Sequence, residues 1–377
     1  MNLDRKIREL NHKRIDFFRF LKLKITYYFC LSFSKLFIFN NKTNSKLKTF
    51  VVLRLDDKLG DSVTSTGFLQ ALKTDSADNK VVVVAGPGTV SMYKTLSFVD
   101  EVIVSKKGFI NSLKTFFELK KINSINFIVN TSHILNPRSI FLVLTAKAEN
   151  KVGYFDPKYL IFSKAANIDF LKDHITDRYR KLLQVLNIKY FSNVDLSYHV
   201  KIEDAALIRV QQKMASIKKG SKPVLAINCF AGGRLRNLNE ATVKAILLNT
   251  SELFGAVIFL ANRGDHKLLN SWKISELQNC YHFPELSTLH DNLAFALNAD
   301  LVLTPDTSWV HLACALKKKL VAIYREDRNS EEANSIIWAP YGTRYERVFA
   351  RFKDGEIEDI NCVRIDEVVT AIKRLLE

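Results

Sequence analysis

Between residues 50 and 325 short runs of β-branched and apolar residues recur, each followed by a segment of helix length with one apolar face. Runs at 50–55, 81–85, 101–104 and 125–129 read as strands, with helices at 62–73, 109–122 and 137–147 between them. The alternation restarts with strands at 224–228, 256–260, 301–304 and 320–324, separated by helices near 240–252, 265–276, 288–297 and 307–316. Strands joined by helices pair in parallel, so the pattern predicts two doubly wound α/β units. "EDAALIRVQQKMASIKKGSK" at 203–222 reads as a helix running into a Lys/Gly/Ser stretch before Pro223, which marks a boundary. The expected organisation is an extension over 1–48, one Rossmann-like domain over 49–215 and a second over 216–377, closed by the helical period of "IDEVVTAIKRLLE".

At 377 residues the chain has room for two such cores. Its 47% hydrophobic and 25% charged fractions exclude low-complexity and collagen-like classes. The net charge of +17 favours an acidic partner: nucleic acid, anionic lipid or a phosphorylated substrate. Residues 1–50 hold twelve Lys/Arg against three Asp/Glu, so more than half of that excess lies in the extension. Within it, "IDFFRFLKLKITYYFCLSFSKLFIF" has no charge-free run longer than Ile25 to Ser34, about half of the roughly 20 residues needed to span a bilayer. Interrupting charges and the lack of a small-residue cleavage site also argue against a signal peptide. Two readings stand: an amphipathic helix in the headgroup region of an anionic membrane, or a helix packed on the domain with its basic face solvated. The five cysteines are widely spaced and never form CxxC, so they suggest neither a disulfide framework nor a zinc site, and a reducing, cytoplasmic setting fits.

Ligands of doubly wound sheets bind at the carboxyl ends of strands, facing the cleft that two such units share. Three post-strand stretches carry suitable chemistry. In "LTPDTSWVHLACAL" a helix starts near Asp306 or Thr307, where free backbone N–H groups favour an anion; each of Asp306, Thr307 and Ser308 is equally a plain N-cap, and His311 a helical histidine. "AINCFAGGRLRNLNE" places Gly232 and Gly233 beside Arg234 and Arg236, a loop that admits close backbone approach and supplies guanidinium groups for phosphate, though two glycines can also serve turn geometry alone. "RLDDKLGDSVTST" has Asp61 after Gly60 at a helix start, with Asp56 and Asp57 in the turn; a helix N-terminus favours Asp whether or not it has a chemical role. Without histidine or a regular ligand spacing, these carboxylates do not form a metal-site pattern. "VVVVAGPG" lacks GxGxxG, which leaves a dinucleotide oxidoreductase poorly supported.

Taken in order, these motifs resemble glycosyltransferase family 9, the lipopolysaccharide heptosyltransferases, over about residues 50–325. "VVLRLDDKLGDSVTSTGFLQALK" is similar to the family's first strand, turn and helix with its Gly-Asp pair, and "LAINCFAGGRLRNLNE" to its donor-phosphate loop. "LHDNLAFALNADLVLTPDTSWVHLACALKKKLVAIY" carries the family's Asp-Thr-x-x-x-His arrangement. The resemblance implies a GT-B fold of two Rossmann-like domains facing a central cleft, the first for acceptor and the second for donor. It implies an inverting, metal-independent transfer of heptose from ADP-heptose to a lipid A-core acceptor, without a cofactor. Asp61 then corresponds to the general base, and Gly60, Gly232, Gly233, Arg236, Asp306, Thr307, Ser308 and His311 to the donor-binding set. Ser308 stands where the family commonly has glycine, Asn237-Leu238-Asn239 replaces a frequent Trp-Pro, and Asp57 and the extension are additional.

The expected partners are a nucleotide-sugar donor, a lipid-linked anionic oligosaccharide and the inner face of the cytoplasmic membrane, on which the protein is peripheral; no nucleic acid is expected. One rival keeps the fold and uses another nucleotide sugar for capsule or O-antigen synthesis. The other is an inactive basic protein that binds membrane or nucleic acid; it lacks any aromatic-basic RNA signature and leaves the three motifs unexplained.

Overall fold

The computed structural model describes residues 14, 17–18, 20–32, 47–217, 220–326, 333–352 and 357–377. The rest of the 1–48 extension and residues 218–219 of the expected boundary lie outside the described residues. The chain divides into two compact units. Unit 1 comprises the described residues of Met1–Asp57, with Phe68–Ile168 and Asp177–Asp195; unit 2 comprises Lys58–Gly67, Asp169–Thr176 and Leu196–Glu377.

The strands of unit 1 are β1 (Thr49–Arg54), β2 (Lys80–Ala85), β3 (Glu101–Val104), β4 (Ile125–Asn130), β5 (Ala148–Tyr154) and β6 (Lys164–Ala166). They form one parallel sheet in the order β3-β2-β1-β4-β5-β6. The chain steps outward from β1 to β3 and returns to lay β4 beside β1, which creates a switch point between β1 and β4. The Val-rich strands β1 and β2 are buried on both faces, as strands covered by helices must be.

A helix over 20–32, α1, precedes this sheet. Along the chain follow α2 (Leu59–Thr64), α3 (Thr66–Asp75), α4 (Val90–Lys94), α5 (Phe109–Lys120), α6 (Pro137–Thr145) and α7 (Ile175–Val185). One apolar cluster joins alternate residues of β1 and β2 with Leu119 of α5, Phe141 of α6 and Cys30 of α1, and Leu23 and Tyr27 of α1 pack against it. The described helix of the extension, α1, therefore packs by one face onto this layer of unit 1. Among the described residues no helix is long and apolar enough to cross a membrane.

Unit 2 repeats the topology. Its helices are α8 (Asp204–Ile217), α9 (Glu240–Thr250), α10 (His266–Ser271), α11 (Leu289–Asn298), α12 (Ser308–Ala315), α13 (Asn334–Ile337) and α14 (Ile365–Leu376). Strands β7 (Val224–Asn228), β8 (Ala256–Leu260), β9 (Cys280–Tyr281), β10 (Leu301–Pro305), β11 (Lys319–Arg325) and β12 (Tyr345–Ala350) run parallel in the order β12-β11-β10-β7-β8-β9. The switch point lies between β7 and β10, where Ile227 pairs with Leu303.

The helix expected at 62–73 is two helices, broken at Ser65. Thr64, Ser65 and Thr66 each turn the hydroxyl back onto a carbonyl three residues earlier, at 2.9, 2.7 and 2.6 Å. Three such bonds in succession compete with the backbone ladder and interrupt it. Thr66 Oγ1 then accepts the His199 N–H at 2.7 Å. Strands β5, β6, β9 and β12 were not evident from the sequence because none is a continuous apolar run; β12, "YERVFA", is an edge strand with only Val348 and Ala350 buried.

Candidate active site

The carboxyl ends of β7 and β10 carry the polar framework of unit 2. Asn228 closes β7, and its Nδ2 donates to Thr304 Oγ1 at 2.9 Å, to Thr307 Oγ1 at 3.3 Å and to the Phe230 carbonyl at 3.0 Å. Thr304 and Thr307 are linked through their hydroxyls at 3.1 Å. This buried network fixes Thr307, which caps α12 by accepting the Trp309 N–H at 3.1 Å. Neither Asn228 nor Thr304 stood out in the sequence; the available signal was a polar residue at the last or next-to-last position of two otherwise apolar strands.

The Gly232-Gly233 loop follows β7. A Cβ placed at either glycine would meet nothing within 4 Å, so no neighbour in the protein demands glycine there. The loop tightens into a 3-10 turn over Arg234–Arg236, and its start is held by the Ala231 N–H donating to Asn237 Oδ1 at 2.6 Å. The turn aims Arg236 at Asp306: Nη2 donates to the carboxylate at 2.7 Å and to the Asp306 carbonyl at 2.5 Å. Both bonds use one nitrogen of the half-exposed guanidinium, and the planar group presents further N–H donors in fixed directions. Arg234, by contrast, is exposed.

Asp61 is the third residue of α2, half-buried in its first turn. The helix lies against α12 at Gly60, where a Cβ would come within 3.1 Å of His311 Cδ2, 3.2 Å of Ser308 Cα and 3.5 Å of Ser308 Cβ. Any Cβ there would press on His311 and the Ser308 backbone by a few tenths of an ångström, so Gly60 allows the turn bearing Asp61 to lie this close to the start of α12. The structure thus gathers Gly60, Ser308 and His311 in one contact and Arg236 with Asp306 in another. Thr307 belongs to the same helix start.

His311 is enclosed by the rings of Tyr198 and Trp338, with centroids 5.8 and 5.9 Å away. Burial, reinforced by the nearby His174, pushes its imidazole down to about 3. It is therefore neutral at physiological pH and packs α12 onto α2 instead of carrying charge.

The three aspartates of the opening motif separate. Asp56 pairs with Arg54 at 3.1 Å, and Asp57 Oδ1 accepts the Gly88 N–H at 2.9 Å, latching the loop after β2. A Cβ at Gly86 would strike that carboxylate at 2.4 Å, which explains the first glycine of "VVVVAGPG" without any nucleotide. Asp56 and Asp57 belong to unit 1 and Asp61 to unit 2. Among the described residues, no group of three or more His, Cys, Asp or Glu is arranged to hold a metal ion.

Two Rossmann-like units with parallel sheets of matching order make up the GT-B architecture. The model of glycosyltransferase family 9 (heptosyltransferase) matches residues 136–357, and the chain belongs to that family. A putative lipopolysaccharide heptosyltransferase 4 of Escherichia coli is 22% identical over 318 residues, spanning 81% of this chain and 84% of the relative. Among solved structures, a family 9 glycosyl transferase from Veillonella parvula superposes with a TM-score of 0.72 at 18% identity, over 87% of this chain and 97% of that one. The Escherichia coli ADP-heptose lipopolysaccharide heptosyltransferase II gives 0.64 at 14% identity, over 87% and 98%.

Proposed function

We propose that this chain is an inverting, metal-independent heptosyltransferase that moves heptose from ADP-heptose to a lipopolysaccharide core. The acceptor is a lipid-linked, anionic oligosaccharide met at the cytoplasmic face of the inner membrane, where the protein is peripheral; no cofactor takes part. Residues 49–215 take the acceptor and 216–377 the donor. Asp61 removes the proton from the acceptor hydroxyl as its oxygen attacks the anomeric carbon, and the bond to the nucleotide diphosphate breaks on the opposite face. Arg236 and the backbone N–H groups at the start of α12 take up the negative charge growing on the departing diphosphate, which is the service a metal would otherwise supply. Gly232 and Gly233 leave room for the phosphates, Asp306 and Thr307 face the ribose and diphosphate, and Ser308 and His311 complete the donor wall.

The observation that carries this reading is the Gly60 contact, which holds the Asp61 turn against the helix start that Thr307 caps and Asp306 precedes. It is supported by the activity named for the Escherichia coli relatives. The test is turnover of ADP-heptose with lipid A-core acceptors, the product being followed by mass spectrometry. Asp61→Ala is expected to lower kcat by about 10²–10⁴ with little change in donor KM. Undiminished turnover would remove Asp61 as base, and turnover with a different nucleotide sugar alone would assign the chain to capsule or O-antigen synthesis.

A further inference from the structure

Helix α1 is apolar on two opposite faces. At about 100° per residue, Leu23, Tyr27 and Cys30 fall on the stripe packed against unit 1, while Ile25 and Tyr28 fall on the opposite side and are each more than half exposed. Lys22 and Lys24 flank that outer stripe on its two sides, and both are exposed. Unit 1 covers the first stripe; the second is an exposed apolar face of the kind that marks an interaction surface.

A second exposed set lies at the carboxyl end of the same sheet. The connection after β3 presents Lys106-Lys107-Gly108-Phe109-Ile110, with Phe109 and Ile110 65% and 69% exposed at the start of α5. The connection after β5 presents Phe155, Lys158 and Leu160, the last 69% exposed. This connection also meets α1, since the ring of Tyr27 lies 5.4 Å edge-on from that of Tyr159. Phe109 and α1 belong to one helical layer, Phe109 through its ring contact with Phe141 at 6.3 Å and α1 through the apolar cluster that includes Phe141.

We infer that α1 and the post-β3 and post-β5 connections form one docking rim for an anionic bilayer surface. The inference rests on the membrane-facing part of the proposed function and gives it a site outside the sugar-transfer residues. Aromatic and branched side chains enter the headgroup boundary, while lysines beside them reach anionic headgroups. Charge selects this occupant. Across 20–32, 105–117 and 155–163 six lysines stand against one acid, Asp156, so a second copy of the face would be repelled, whereas phosphodiester headgroups complement it.

The test is co-sedimentation of the full chain with vesicles of phosphatidylcholine alone or mixed with phosphatidylglycerol. The comparison variants are Phe109→Ser with Ile110→Ser, Ile25→Ser with Tyr28→Ser, and the four changes together. Wild type is expected to bind the mixed vesicles; each pair is expected to weaken partition by about tenfold and the quadruple variant to abolish it, since interfacial affinity scales with buried apolar area. Thermal unfolding and turnover on a water-soluble, deacylated acceptor are expected to stay unchanged. Variants that bind as wild type would overturn the rim, as would a wild type that does not bind. Self-association in sedimentation velocity that the same variants abolish, without vesicle binding, would overturn it in favour of a second copy. Vesicle binding requires no turnover, so failure of the heptosyl-transfer reading leaves this result separately readable.

Discussion

The two units share a strand order and differ at the carboxyl ends of their sheets. Unit 2 closes its strands with bonded polar groups: Asn228 holding Thr304 and Thr307, and Arg236 clasping Asp306. Unit 1 ends two of its connections in exposed Phe109, Ile110 and Leu160 beside lysines. One topology therefore supports two kinds of end: connections tied down by bonded polar groups and connections that leave apolar side chains exposed beside lysines. The strands set where the ends lie, and the connections decide what they do.

The difference is broken most forcefully at Gly60. Gly60→Val inserts a branched side chain where the Ser308 backbone leaves 3.2 Å, and is expected to cost about 1–3 kcal/mol of stability and to lower kcat by tenfold or more. Calorimetry and steady-state kinetics on one preparation check both, and a fully active, equally stable variant would remove the close approach as a requirement.

Acid is the next lever. His311 is held down to about 3 in the folded protein, whereas an unfolded imidazole titrates near 6.5. Between those values the unfolded chain binds a proton that the folded one refuses, so the contribution is intact above about pH 6.5 and lost progressively as pH falls towards 3. Burial also depresses His266 and His282, both in unit 2. Stability is expected to fall below about pH 6.5, by up to about 1.4 kcal/mol per pH unit from His311, with His266 and His282 acting in the same direction. Hydrogen exchange at pH 7.5 and 5 is expected to show the greater loss of protection in unit 2, and His311→Phe to flatten the dependence; equal loss in both units would contradict this.

A smaller effect is expected from Arg236→Lys. Charge is kept and the planar fork is lost, so donor KM is expected to rise by about tenfold with kcat less affected. Isothermal titration with the nucleotide diphosphate provides a binding check independent of turnover.

Much of this architecture was legible in the residues. Val81–Val84 can be little other than a buried strand, and the Gly-Asp, Gly-Gly-Arg and Asp-Thr-x-x-x-His motifs follow the strands expected for them. The break inside 62–73 was less legible, because serine and threonine are ordinary helix residues until several bond backwards in succession. Asn228 looked like one more strand residue, since its value lies in partners 76 and 79 positions away. The two readings of the extension, membrane or domain, posed a choice that α1 does not make: one stripe packs and the other remains outside.

The open space above Gly232 and Gly233 makes the pair a feeler gauge. With no protein atom within 4 Å of either added Cβ, and with Gly233 already extended at φ −158°, an alanine there meets no internal obstacle. A graded series of side chains at these positions then measures, in methyl-sized steps, the clearance a bound ligand leaves over the loop.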